Sequence, residues 1–240
     1  MSGFILKLSL KSPPVLGDTM PTADAIMSAA RIRQSGISAA MDIPLDRHDS
    51  GFFMGSMPFF DSRGDSPIEL GVGGFVKCNL KREDYSGVKY TPFGAKGKLY
   101  GKEKYRTRME ARTVVTRRFS DNQSDMSLVF FCSGDANEAK YLLEWVPGYG
   151  ARAPRGAGEI KSIDVMDFSV GSLPMIFRGM PSRPIPWDAW ISMSGNAQVP
   201  SDHVAFAPPY RYGEKMLCAI PLTPFERIDV DSYIDGDDNE

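Results

Sequence analysis

Between Met126 and Val165 the apolar period changes twice within 40 residues, which constrains the local topology more than any other stretch of the chain. Met126 to Cys132 is a compact apolar run of strand length. Asp135 with Glu138 three residues later makes a capping-box arrangement, and Ala139, Leu142, Leu143 and Val146 repeat the helical apolar spacing. Pro147 and a glycine-rich loop follow, and then Ile160, Ile163 and Val165 mark a further strand.

The N-terminal half carries a matching unit. Phe4, Leu6, Leu8 and Leu10 alternate at period two, which predicts a first strand. Pro21 suits a first helical position, Ala23, Ile26, Met27 and Ala30 follow helical spacing, and Gly36 offers a stop. Residues 37–60 read as short strands broken at Pro44, Gly51, Gly55 and Pro58. Strands at about 68–80 and 110–119 flank a Gly- and Lys-rich excursion that reads as a long hairpin. The order is strand, helix, strands with an insert, helix, strand, which is the βαββαβ plan of an α+β, ferredoxin-like (RRM-like) domain. The expected organisation is that domain over residues 1–167, with its insertion at about 77–119 and its glycine-rich loop at 147–158. Residues 168–228, rich in proline and without a helical period, read as an extended region packed on the domain, and 229–240 as an acidic, frayed tail.

At 42% hydrophobic and 24% charged residues, the usage is that of a globular chain. No apolar run reaches bilayer length, and the short stretch Phe4 to Leu6 is cut off by Lys7, so the expectation is a cytoplasmic protein without membrane partners. Cys78, Cys132 and Cys218 form no CxxC pair, and His48 and His203 are the only histidines, so no disulfide framework, metal site or bound cofactor is signalled.

The net charge of -2 conceals a strong asymmetry. Lys77 to Arg118 holds 13 basic against 4 acidic residues, a balance of +9, whereas Glu226 to Glu240 holds 7 acids against Arg227. Tyr85, Tyr90, Phe93, Tyr100, Tyr105 and Phe119 are interleaved with the cations. Two readings fit: a surface for single-stranded nucleic acid, where cations neutralise phosphates and rings stack on bases, or a solvated basic hairpin with partly buried aromatics.

The loop from Pro147 to Ile160 has four glycines whose backbone amides can converge on an anion, with Arg152 and Arg155 able to bind phosphate oxygens. It lacks the Gly-Lys-Ser/Thr of a Walker loop, and it leaves a helix to enter a strand, the reverse of a dinucleotide fingerprint. Nucleotide cofactors are therefore not expected. A purely structural connection, with glycines for tight turns, is the competing reading.

These features together resemble the RAMP superfamily of CRISPR proteins, whose signature is a glycine-rich loop between the second helix and last strand of a ferredoxin-like fold. Val129 to Asp135, Leu142-Leu143, the loop and Gly158-Glu159-Ile160 are similar to the type IV subunit that caps the five-prime handle of the guide RNA (crRNA). Pro21 to Ile26, Ile43-Pro44-Leu45, Gly51 to Phe60 and Met180 to Pro186 also resemble that family, so the likeness spans most of residues 1–190. The resemblance implies a non-catalytic RNA-binding subunit. Gly148, Tyr149, Gly150, Arg152, Arg155, Gly156 and Gly158 would hold the handle. A thumb carrying Lys89, Lys96, Lys98, Lys102, Lys104, Arg106, Arg108, Arg112, Arg117 and Arg118 would neutralise phosphates, with Met109 wedged against bases. Implied partners are the repeated backbone subunits, the large subunit, nearby target DNA and, in some type IV systems, a DNA helicase.

The enzyme alternative is a repeat-processing endoribonuclease of the same superfamily, with His48 in Arg47-His48-Asp49 as its general acid or base. Against it stands the ordinary reading of a solvated or hydrogen-bonded loop histidine, and His203 has a weaker claim still. Trp145, Trp187 and Trp190 read as core or subunit-contact residues, and Met20, Met27, Met41, Met54 and Met57 as packing.

Overall fold

The computed structural model describes residues 3–12, 14–16, 20–61, 68–78, 107–117, 126–150, 153, 156–167, 175–210, 213–221 and 227–230, with backbone alone for 15–16, 68–78, 107–117 and 227. The described elements are β1 (Gly3–Leu10), β2 (Val15–Leu16), α1 (Ala23–Ser35), β3 (Phe59–Asp61), β4 (Ile68–Cys78) and β5 (Thr107–Arg117). They continue with β6 (Met126–Ser133), α2 (Ala136–Leu143), β7 (Ile160–Asp167), β8 (Ile176–Phe177), β9 (Met180–Pro181) and β10 (Ile185–Pro186). Last come α3 (Trp187–Ser194), β11 (Ser201–Val204), β12 (Met216–Ala219) and β13 (Arg227–Ile228). Among the described residues, three α-helices and mostly antiparallel sheets make this an α+β fold.

The main sheet has the order β13-β3-β6-β1-β7, with β6 in the middle and β1 antiparallel to both β6 and β7. Its register sorts side chains by face, since directly opposed residues in a ladder point the same way. Leu6 opposes Phe130 and Val165, and Leu8 opposes Leu128 and Ile163. This face packs on Ile26, Met27 and Ala30 of α1 and Ala139, Leu142 and Leu143 of α2. Each large apolar side chain enclosed there stabilises the fold by about 1.5–3 kcal/mol.

The odd-numbered positions of β1 face the other way. Ile5 joins Phe59, Val129 and Phe131 beneath Phe177, Ile228 and Val230, so half of that face is closed over by later segments. The other half is polar: Lys7 bonds Asp61 at 2.6 Å, and Ser9 meets Ser127 at 3.4 Å. Among the described residues, this face therefore offers no open row of aromatic rings.

Two further layers surround this core. β4 and β5 pair antiparallel along their whole length, from Ile68 opposite Arg117 to Cys78 opposite Thr107, and β2 adds to β5. β10, β12 and β11 form a small sheet against α3, enclosing Trp190, Phe52, Met175 and Ala219.

Several expectations are corrected. α1 begins at Ala23 with Thr22 at its N-cap, so Pro21 precedes the helix rather than opening it. Within 37–60, the backbone forms isolated bridges at Leu45, Arg47, Phe53 and Gly55, and only Phe59 onward is a strand. The proline-rich region contains α3, which starts after Pro186 and stops at Gly195 in the left-handed conformation. Val230 is fully buried, so the chain is still packed at residue 230 and the acidic tail does not fray from 229. Residues 231–240 lie outside the described residues.

Candidate functional site

The glycine-rich loop is closed at its neck by two very close backbone approaches. Gly148 bridges Glu159, and the Tyr149 amide donates to Gly158 O at 2.8 Å. A Cβ on Gly158 would lie 2.1 Å from Tyr149 O, and its φ of +61° is left-handed; a Cβ on Gly148 would lie 2.7 Å from Gly158 O. Glycine at these two positions is thus required by the neck itself. Gly150 and Gly156, farther out, also take positive φ, at 88° and 84°.

Side chains fasten the neck to the sheet. Ser12 Oγ donates to Gly156 O at 2.6 Å and accepts from the Glu159 amide at 3.0 Å, while the Lys11 amide donates to Glu159 O at 2.8 Å. The Gly156 amide donates to Ala153 O at 3.0 Å. The amides of Tyr149, Gly156 and Glu159 are therefore committed inside the protein, which narrows the expectation that the loop's amides converge outward on an anion.

Tyr149, expected among the residues that hold the handle, anchors the loop inside the protein. It is 1% exposed, meets Phe130 edge-on at 6.0 Å, and its hydroxyl donates to Pro21 O at 3.0 Å. Burial holds its phenol well above the ordinary range. The loop is thereby moored to the start of α1.

Arg152 and Arg155 lie outside the described residues, as do Lys89, Lys96, Lys98, Lys102, Lys104, Arg106 and Arg118. Arg108, Met109, Arg112 and Arg117 fall on β5, where Arg108 opposes Lys77 and Met109 opposes Val76 in the ladder.

The histidines occupy different settings. His48 stacks on Phe52 with ring centroids 4.6 Å apart, and its Nδ1 accepts from the Ser50 amide at 3.1 Å, so the ring braces a tight turn. His203 is exposed on β11. Among the described residues no group of three His, Cys, Asp or Glu side chains is placed to hold a metal ion. Cys132 and Cys218 are buried free thiols, and burial pushes Cys218 up to about 11 and Cys132 higher still.

Sequence reading missed the most tightly bound polar cluster. Asp24 and Arg183 are both fully buried and meet through two contacts of 3.2 Å. Arg183 also donates to Phe53 O, to Gly55 O at 2.9 Å, to Phe206 O at 2.6 Å and to the Tyr210 hydroxyl at 3.1 Å, and lies over the Phe52 ring. Tyr210 donates to Asp24 Oδ2 and contacts Thr22 Oγ1 at 3.0 Å. Burial and the Asp24 charge hold the Tyr210 phenol above its usual value. Burial alone would lower Arg183, but Asp24 and Tyr210 outweigh it and raise it. The signal was present: an acid beside Ala23 and Met27 on a helix face that packs inward requires a cation, and Arg183 is the one charged residue between Met180 and Trp187.

This cluster joins the first turn of α1 to the C-terminal region. Beside it opens a cavity of about 570 Å3, walled by Met20, Pro21, Met57 and Pro184 and reached by Thr22, Tyr210, Asp202 and Lys215. Pro21 belongs both to this cavity and to the mooring of Tyr149, so cavity and glycine loop are adjacent.

Among the described residues no helix is long and apolar enough to cross a membrane. No protein-family model matches the chain, and no curated protein matches it in sequence.

Proposed function

We propose that this chain is a non-catalytic RNA-binding subunit of a type IV CRISPR ribonucleoprotein that holds the five-prime handle of the guide RNA. The observation that carries the reading is a glycine-rich connection, built on a closed neck that needs glycine, between α2 and the last long strand of the main sheet. The order β3-β6-β1-β7, with α1 and α2 on one face, supports the ferredoxin-like plan on which that connection is expected. The 11-residue ladder of β4 and β5 supports the thumb, since the segment between those strands carries the densest run of cations in the sequence.

In this reading Arg152 and Arg155 grip handle phosphates while the cations of 77–119 neutralise the following nucleotides. The apolar half of the outer sheet face is covered and its other half carries Asp61, so RNA is held at the loop and thumb rather than on a stacking platform. Backbone subunits, the large subunit, target DNA and a helicase are the expected company of such a cap.

Incubation of the purified protein with CRISPR repeat RNA tests the reading. Retarded but intact RNA, weakened by Arg152→Glu with Arg155→Glu, is the expected result. Metal-independent cleavage lost in His48→Ala would instead establish the endoribonuclease, a role against which the bracing of His48 on Phe52 weighs.

A further inference from the structure

We propose that the cavity between the start of α1 and the β11–β12 hairpin receives one unstacked, amino-bearing base of an RNA strand. Thr22 Oγ1 and the Asp202 carboxylate serve as its acceptors, and Lys215 lies near its phosphate. This rests on the RNA-binding reading above and adds to it a site and a base preference.

The polarity of the hydrogen-bond chain carries the assignment. The Asp24 carboxylate only accepts, so the single phenolic proton of Tyr210 is directed to it. Arg183 only donates, so it fills one lone pair of the same phenol oxygen. Thr22, bonded to that oxygen at 3.0 Å, must therefore donate its own proton there. Thr22, which lines the cavity, is then left with acceptor capacity alone. Asp202 accepts from the His203 amide at 2.7 Å and retains further acceptor capacity, and it too lines the cavity.

A ligand meeting two acceptors must bring N–H donors. Adenine, guanine and cytosine carry an exocyclic amino group, whereas uracil places carbonyl oxygens on either side of its one ring N–H. An apolar side chain from a protein partner would bring no donor and leave the remaining acceptor capacity of Thr22 and Asp202 unused, which disfavours it. The volume of about 570 Å3 lies within the usual range of organic-ligand pockets, and Met20 and Met57 supply polarisable walls for a flat ring. Pro21 connects the cavity to the moored Tyr149, so the pocket lies next to the base of the glycine loop.

The test is fluorescence anisotropy with short homopolymer RNAs of A, C and U at one fixed salt concentration. Wild-type protein is expected to bind oligo(A) and oligo(C) about tenfold more tightly than oligo(U). Asp202→Ala, at an exposed position, and Thr22→Val should each bring the oligo(A) to oligo(U) affinity ratio to about one, while Thr22→Ser keeps the preference. Equal, salt-sensitive binding of all three RNAs overturns the pocket and leaves the RNA reading standing. A preference that survives Asp202→Ala and Thr22→Val places the base elsewhere and overturns it as well. Binding of none of them removes the RNA reading and the pocket together. A partner protein's side chain filling the cavity in the assembled complex also overturns it.

Discussion

Replacing Asp24 with asparagine removes one negative charge from the interior and leaves side-chain size nearly unchanged. Both partners of the Asp24–Arg183 pair are fully buried, and the other groups around the guanidinium are carbonyls and a phenol, which satisfy its N–H donors but not its charge. Losing one member of such a pair costs about 3–5 kcal/mol, in line with the ~4 kcal/mol that two charges about 4 Å apart exchange at an effective dielectric of 20. That is a large share of the ~5–15 kcal/mol typical of a folded protein. Urea unfolding followed by circular dichroism should therefore lower the midpoint of Asp24→Asn by more than about 1 M, with the slope unchanged. The double variant Asp24→Leu, Arg183→Met removes both charges and should be more stable than Asp24→Asn alone. A loss below about 1 kcal/mol in Asp24→Asn would refute the claim that this pair locks the C-terminal region to α1.

Alkaline pH should destabilise the protein. Tyr149, Tyr210, Cys132 and Cys218 are all raised by burial, so above pH ~9 the unfolded chain releases protons that the folded chain keeps. Their contribution is complete below the unfolded values and is lost as pH climbs through the folded ones, for Cys218 between 9.0 and about 11. Urea midpoints measured from pH 8 to 11 should fall, and fall less steeply in Cys218→Ala; a flat profile would refute the assignment. Gly158→Ala, which forces a Cβ against Tyr149 O in a left-handed conformation, should cost more than about 2 kcal/mol in thermal unfolding and weaken RNA binding in whatever protein still folds. An alanine variant of wild-type stability would show that the neck does not need glycine.

The elements that sequence made legible are those whose signals are local. Period two in Phe4 to Leu10, the Asp135 cap, whose side chain accepts from the Glu138 amide at 2.9 Å, and the apolar run of β6 all recur in the fold. The pairing of residues 68–78 with 107–117 was likewise anticipated to within three residues at each end. The short α3 escaped because prolines dominate its surroundings, although Pro186, the Trp187, Trp190 and Ile191 spacing and Gly195 are ordinary start, body and stop signals. In the loop, glycine content was visible but its purpose was not: whether an amide faces outward or pairs across a neck depends on contacts with Ser12 and Lys11, about 145 positions away in the chain. The Asp24–Arg183–Tyr210 cluster joins residues separated by 159 and 186 positions, a proximity only the folded chain creates.

The central claim is tested most directly by the salt dependence of binding to an RNA that carries the five-prime handle. If about five phosphates are neutralised by the loop and the basic segment, the plot of log affinity against log salt has a slope of about -3.5, and reversing Arg152 and Arg155 to glutamate reduces its magnitude by about 1.4. Binding that is absent, or whose slope lies near zero and is unmoved by those two substitutions, would contradict the account.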